Sequence, residues 1–463
     1  MKKEYLITEK PLKALLLFAM PMIIGNLFQQ FYTMVDSIVV GRFVSENALA
    51  AVGASYALTT VFISIAIGGG VGASVITSRY FGARDYRRMM LSVRTALTVF
   101  LVTSIALGGV GLLLGRQIMI VLNTPSNVLG DAVVYLKIYF LGLPFLFMYN
   151  ILSAMFNALG RSQIPLYLLI FSSLFNIVLD VFFVKELTMG VSGVAWATLI
   201  AQGISAVLSF IILQRELRRF IPEDDTGKKR DVYRTALFDK TECFNMARVA
   251  LPSILQQSTI SIGMMLVQSV VNSFGAQVLA GFSATMRVES ICIVPMSAMG
   301  NVMSSYTAQN IGAGKTERVK QGYYTGYGIV AAFAVILCLV VELAYRPLVL
   351  LFLGEEASSA AYQTGVGYLQ FIGWFFVFIG MKMITDGLLR GAGDMTMFTV
   401  ANMVNLGIRV FASMIFAPRF GVAVVWIVVP IGWIANYLIS YAEYRTGRWE
   451  RMHTEVLAQE AES

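Results

Sequence analysis

Twelve apolar runs separated by short polar breaks divide the chain, at approximately residues 12–38, 48–72, 92–115, 132–153, 163–184, 191–213, 246–273, 278–302, 322–345, 360–384, 396–417 and 421–441. A helix of about 20 apolar residues crosses a hydrocarbon core about 30 Å thick, and each run is long enough. The pattern predicts an all-α membrane protein with twelve transmembrane helices. Ahead of the first run, MKKEYLITEKPLK carries acidic residues and a proline, and no small-residue cleavage site follows. That start reads as a retained helix rather than a signal peptide.

The polar breaks differ in charge. With the first end placed in the cytoplasm, one set of run ends collects 26 of the 35 Lys and Arg residues, including Lys2, Lys3, Arg87, Arg88, Arg161, the cluster from Arg215 to Arg248, Arg318 and Arg445. The other set holds only Arg42, Arg116, Lys185, Arg346 and Arg419. This is the positive-inside asymmetry, and it places both termini in the cytoplasm of a cell-membrane protein. It also gives the net charge of +8 a topological meaning, which removes nucleic acid as a partner and leaves the lipid bilayer.

The densely charged stretch near the midpoint suggests a division into an amino-terminal lobe (1–214), a cytoplasmic linker (215–245), a carboxyl-terminal lobe (246–441) and a tail (442–463). The two lobes repeat each other. Ala-Met-Pro at 19–21 answers Ala-Leu-Pro at 250–252, "ALAAVGAS" from Ala48 answers "VLAGFSAT" from Val278, "YFGAR" from Tyr80 answers "NIGAG" from Asn310, "ALGRS" from Ala158 answers "GAGDM" from Gly391, and Asn176 answers Asn405. The near-constant offset signals duplication. Six helices per copy is even, so the expected architecture is two six-helix lobes related by a parallel internal repeat, with a binding cavity between them.

With 57% hydrophobic and 13% charged residues, the chain has little material for enzyme chemistry. A single His453 and scattered Cys243, Cys292 and Cys338 offer no metal cluster and no nucleophile–base couple, and no enzymatic activity or cofactor is expected.

Taken together, "AMPMIIGNLFQQFYTMVDSIVVGRF", "ALAAVGAS", "FNALGRSQIP", "NIVLD", "QNIGAGK" and "LLRGAGDM" make the chain resemble the multidrug and toxic compound extrusion (MATE) transporters, in their DinF-like branch. The resemblance implies two six-helix lobes in a working monomer that exports small organic, often cationic, compounds in exchange for Na⁺ or H⁺. It assigns ion coupling to Asp36, Asn176, Asp180 and Thr198, whose types all match the family's set. Other branches carry an essential acid in the seventh or tenth span. Here those stretches read Gln256–Gln257 and "FIGWFFVFIG", which points to coupling through the first lobe.

The intramembrane polar residues support part of that expectation independently. Asn176 and Asp180 lie four apart, on one helix face, and together with Asp36 and Thr198 they supply hard oxygen donors suited to Na⁺ or to a proton. Asp36 also stands six residues before Arg42, where solvation or pairing would satisfy it structurally. At the place of Asp180 the second copy carries Arg409, expected to be neutralised by Glu289 or Asp386, with an anionic substrate contact as the alternative. Lys382, Asp386 and Arg390 form one helical stripe, expected to pair structurally. Pro21 and Pro252 are candidate kinks, and Gly68, Gly69, Gly70 and Gly72 suit a hinge or close packing. Candidate cavity residues are Phe28, Tyr32, Tyr139, Phe147, Tyr149, Met265 and Met286, for stacking and for adaptable contact. Other methionines, including Met296, Met299 and Met303, suit an adaptable pocket too, with lipid-facing filler as the competing role. A flippase for lipid-linked oligosaccharides, from related twin six-helix families, is the competing function. It would want a strongly basic cavity, and the Lys and Arg residues embedded in the membrane away from the run ends are few: Lys137, Arg287, Lys382 and Arg409.

Overall fold

A computed structural model describes residues 4–43, 46–121, 124–221, 236–354 and 357–450; the side chains of 36–43, 46–49 and 57 lie outside the description. The first repeat comprises α1 (Tyr5–Thr8), α2 (Pro11–Phe43), α3 (Glu46–Gly82), α4 (Tyr86–Val121), α5 (Ser126–Ala158), α6 (Gln163–Val181), a π-helical turn (Phe182–Glu186) and α7 (Gly190–Arg218). The second comprises α8 (Lys240–Asn272), α9 (Ala276–Gly312), α10 (Thr316–Leu353), α11 (Ser359–Gly373), α12 (Phe376–Ala392), α13 (Met395–Phe420) and α14 (Ala423–Thr446). Eleven of these helices are long and apolar enough to cross a membrane, and α11 with α12, bent by 54°, forms a broken twelfth span. The tenth run, expected as one helix, therefore breaks at Trp374–Phe375. Several helices outrun their apolar cores; α9 and α10, at 37 and 38 residues, exceed what the hydrocarbon core requires.

The repeated sequence blocks prove to be helix stops. At the end of α5, Gly160 adopts φ +70° and the Arg161 amide reaches back to the Phe156 carbonyl at 2.8 Å. At the end of α12, Gly393 adopts φ +82° and the Asp394 amide reaches Leu389 at 2.9 Å. A left-handed residue there turns the chain while satisfying otherwise orphaned carbonyls. The ends of α3 and α9 repeat the device. There the left-handed position is held by Gly314 in one copy and by Arg84, at φ +60°, in the other.

Packing divides the chain at places the charge pattern did not indicate. One compact unit is residues 24–254, called here the first lobe; the other combines residues 1–23 with 255–463, the second lobe. Both divisions fall inside a helix, α2 or α8, two to three residues beyond Pro21 and Pro252, rather than at 214 and 246. The helices continue through both prolines. The expected linker is shortened at both ends, since Arg215–Arg218 belong to α7 and Lys240 opens α8; residues 222–235 lie outside the described residues.

Local contacts account for these memberships. In the second lobe, Tyr5, Leu6 and Ile7 of α1 are buried, and the carbonyls of this short helix are captured by basic and amide side chains. Asn310 Nδ2 donates to the Leu6 carbonyl at 3.1 Å, Lys315 Nζ to Ile7 at 2.9 Å, and Arg318 to Leu6 and Glu9. In the first lobe, the amino-terminal half of α8 lies against the glycines of α3. A Cβ on Gly68 would come 2.6 Å from Ile254 Cα, and one on Gly72 would collide with Ala250. These glycines serve close helix packing. Tyr80 Oη also donates to Glu242 Oε1 at 2.9 Å. The tail folds back in part, with Trp449 buried and Glu450 3.0 Å from Lys320; residues 451–463 lie outside the described residues.

Candidate functional site

In the first lobe, α6 presents Asn176 and Asp180 on one face, both buried, with Asp180 wholly inaccessible. Tyr32 of α2 donates its hydroxyl to Asn176 Oδ1, a link across 144 positions of sequence. Two residues beyond Asp180 the helix widens into the π-helical stretch Phe182–Glu186. Such bulges redirect side chains and recur at functional positions. Thr198 of α7 bonds the Val194 carbonyl at 3.0 Å. It faces a small crevice shared with Tyr135, Tyr139, Gly142, Leu146, Ala195, Leu199 and Gln202. The Tyr139 hydroxyl donates to the Thr59 carbonyl at 3.2 Å. Among the expected coupling residues, Asn176 and Asp180 are thus together and Thr198 lines the crevice. The Asp36 backbone is helical, and its side chain lies outside the described residues.

The expected cavity residues scatter. Tyr32 and Tyr139 take part as above, and Phe28 is half-buried on α2. Phe147 belongs instead to the interior of the lobe, only 1% exposed, with its ring 6.1 Å from Phe100. Its spacing on α5 matches the apolar interior of the lobe, which sequence pattern does not separate from a cavity wall. Tyr149 stands beside Ser153 one turn on along the same helix. In the second lobe, Met265 is exposed on α8, and Met286 receives the Tyr368 hydroxyl at 3.5 Å. Met296, Met299 and Met303 are fully buried packing residues. Tyr135 and Gln202 line the crevice and escaped notice. The signal for the first was there, as Tyr135, Tyr139, Gly142 and Leu146 fall on one helical stripe.

The second lobe buries a denser polar network. Lys382 Nζ lies 3.0 Å from Asp386 Oδ2 and 3.2 Å from Asn402 Oδ1. Asn402 Nδ2 returns to Asp386 Oδ2 at 3.2 Å, Ser440 Oγ donates to Asp386 Oδ1 at 2.8 Å, and Gln256 Nε2 reaches Asn402 at 3.3 Å. Arg390 leaves the stripe, donating to Asn301 at 2.8 Å and to Ser304 at 3.3 Å. With Asp386 satisfied by Lys382, it does not serve Arg409. No carboxylate makes an ion pair with Arg409 among the described residues; its charge acts on Glu289 from farther away. Glu289 in turn accepts from the Tyr368 hydroxyl, and that ring is stacked between Phe282 and Trp426. The direct lock expected for Arg409 is thus replaced by a longer-range attraction. Gly432 makes room for this arrangement, since a Cβ there would come 2.5 Å from Asn405 Oδ1 and 3.2 Å from Arg409 Cγ.

Comparison with known proteins agrees with this architecture. The MatE family profile matches twice, over residues 21–182 and 252–415, in register with the repeat. The chain is 30% identical to the probable multidrug resistance protein YpnP of Bacillus subtilis over 443 residues, 95% of this chain and 96% of that one. It is 22% identical to the probable multidrug resistance protein NorM of Thermotoga maritima, covering 95% and 93% of the two chains. Its fold matches an outward-facing multidrug resistance MATE transporter with a TM-score of 0.86, at 23% identity over 98% and 99% of the two chains. A transporter from Pyrococcus furiosus, described as having a binding pocket of reverse polarity, superposes with a TM-score of 0.88 at 23% identity over 98% and 99%. The chain belongs to the MATE family of multi-pass membrane transporters.

Proposed function

We propose that the chain is a multidrug exporter of the cell membrane, working as a monomer with both termini in the cytoplasm. It couples outward movement of small organic, often cationic, compounds to inward movement of Na⁺ or H⁺ by alternating access of its lobes. The observation that carries this reading is Asp180, a fully buried carboxylate one turn from a buried amide inside a membrane-spanning helix. A carboxylate held at such depth is costly unless a partner group, a cation or a proton offsets its charge, and exchange among these can weigh on the balance between conformations. Asn176 offers its amide oxygen and Thr198 a hydroxyl as further hard donors. Ion binding that favours the state with low drug affinity releases the drug outward, and reopening to the cytoplasm releases the ion.

Efflux of a fluorescent organic cation from proteoliposomes, with Na⁺ and pH gradients imposed separately, tests the reading. Acceleration by one gradient, and its loss when that gradient is collapsed, is the expected result and identifies the ion. Transport indifferent to both gradients overturns it.

A further inference from the structure

The surroundings of Lys382 have the form of a cation site whose cation belongs to the protein. Two oxygens from different helices meet the ammonium, Asp386 Oδ2 of α12 at 3.0 Å and Asn402 Oδ1 of α13 at 3.2 Å. Neither is left free to swing away. Asp386 is held on its other oxygen by Ser440 of α14 at 2.8 Å. Asn402 is fixed through Nδ2 to Asp386 and to the Phe398 carbonyl at 2.8 Å, and Gln256 of α8 closes on its Oδ1. The Lys382 and Asp386 side chains are each only 3% exposed. These second bonds offset the desolvation of the buried pair, and apolar residues of like volume would fill the space as well without any such cage. Carboxylate, amide carbonyl and hydroxyl oxygens are hard donors that accept an alkali cation or an alkylammonium alike.

We propose that Asp386, Asn402, Ser440 and Gln256 form a monovalent-cation site in the second lobe, with the Lys382 ammonium as its tethered and permanent occupant. This lobe then holds its cation covalently and exchanges none. The assignment is independent of which ion drives transport and of what is carried.

Removing the tether frees the site. The purified full-length Lys382→Ala protein, in an Asp180→Asn background that silences any ion response of the first lobe, is unfolded thermally in choline, sodium, potassium or methylammonium chloride at equal ionic strength. The midpoint is expected to be depressed in choline and to rise saturably with potassium, sodium or methylammonium. The gain is about 1.5 °C for each tenfold excess over the dissociation constant. The parent Asp180→Asn protein shows no such response, and adding Asp386→Asn abolishes it. Equal midpoints in all four salts, or a response that survives Asp386→Asn, overturn the proposal. Should Lys382→Ala be recoverable as monodisperse protein only when a small cation is present, that dependence supports it. Failure to recover it in any salt, whether or not the charge-free Lys382→Met/Asp386→Leu protein is recovered, overturns it.

Discussion

At matched places on α5 and α12, the first lobe carries Tyr149 beside Ser153 and the second carries Lys382 paired with Asp386. On the next helices, α6 carries Asn176 and Asp180 where α13 carries Asn405 and Arg409. The helix stops between them are superimposable in kind, with the same left-handed turn and the same backbone bonds. Duplication has therefore kept the backbone and its packing while the interior charges diverged, to a neutral pair and an acid in one lobe and an ion pair and a base in the other. In the proposed reading, a shared scaffold with opposite interior polarity would let one lobe bind an exchangeable cation while the other stays electrically fixed.

The largest effect is expected at the ion pair. Lys382→Met strands a buried carboxylate and should cost about 3–5 kcal/mol, most of it recovered by adding Asp386→Leu. At the matched neutral pair, Tyr149→Phe should cost only about 1 kcal/mol. Thermal unfolding of the purified variants reads both, and equal costs in the two lobes would erase the distinction.

Glycines give the next contrast. Gly432→Ala pushes a methyl against Asn405 and Arg409 and should cost about 1–3 kcal/mol. Its counterpart Gly203 has only ordinary contact with Phe145, 3.6 Å away, and Gly203→Ala should be near neutral by the same measurement.

The turns after α5 and α12 differ in a way that pH can probe. Arg161 stands 3.7 Å from Glu216 in the first lobe. In the second, Asp394, outside the spans, faces Glu443, with Arg448 as the nearby opposing charge, and burial followed by Glu443 pushes the Asp394 carboxyl up to about 6. An acid raised above its unfolded value, about 3.9, binds its proton more tightly when folded. Its contribution to stability is full below about pH 4 and is lost as pH rises through about 6. Asp394→Asn should flatten that part of the stability profile. An unchanged slope between those values would contradict the like-charge contact.

The smallest expected difference lies at the stops of α3 and α9. Arg84→Gly should stabilise by about 0.5–1 kcal/mol, because a side chain at φ +60° is strained, whereas Gly314→Ala should destabilise by a similar amount. Denaturation midpoints of the two variants moving in the same direction would break the parallel.

Much of this was legible in the residues. Apolar run length exposed the spans, and the repeat was visible because helix stops and close contacts demand particular small residues. Lys382 and Asp386 paired as their four-residue spacing suggests. The link from Tyr32 to Asn176 was invisible, since only the fold joins positions 144 apart. The lobe divisions at 23 and 254 depend on where α1 and the first half of α8 pack, while the charge pattern marks the membrane surface instead. The break at Trp374 falls within a continuous apolar run and has no proline to announce it. Phe147 shows the limit for cavities, because an aromatic stripe reads alike whether it faces a crevice or a packed interior.

Gradient-driven efflux from proteoliposomes, compared for the parent protein, Asp180→Asn and Lys382→Met/Asp386→Leu, tests the division of roles most directly. Asp180→Asn should remain folded and lose all acceleration by the gradient, while the charge-free second lobe retains it. Undiminished gradient-driven efflux in Asp180→Asn would contradict the account.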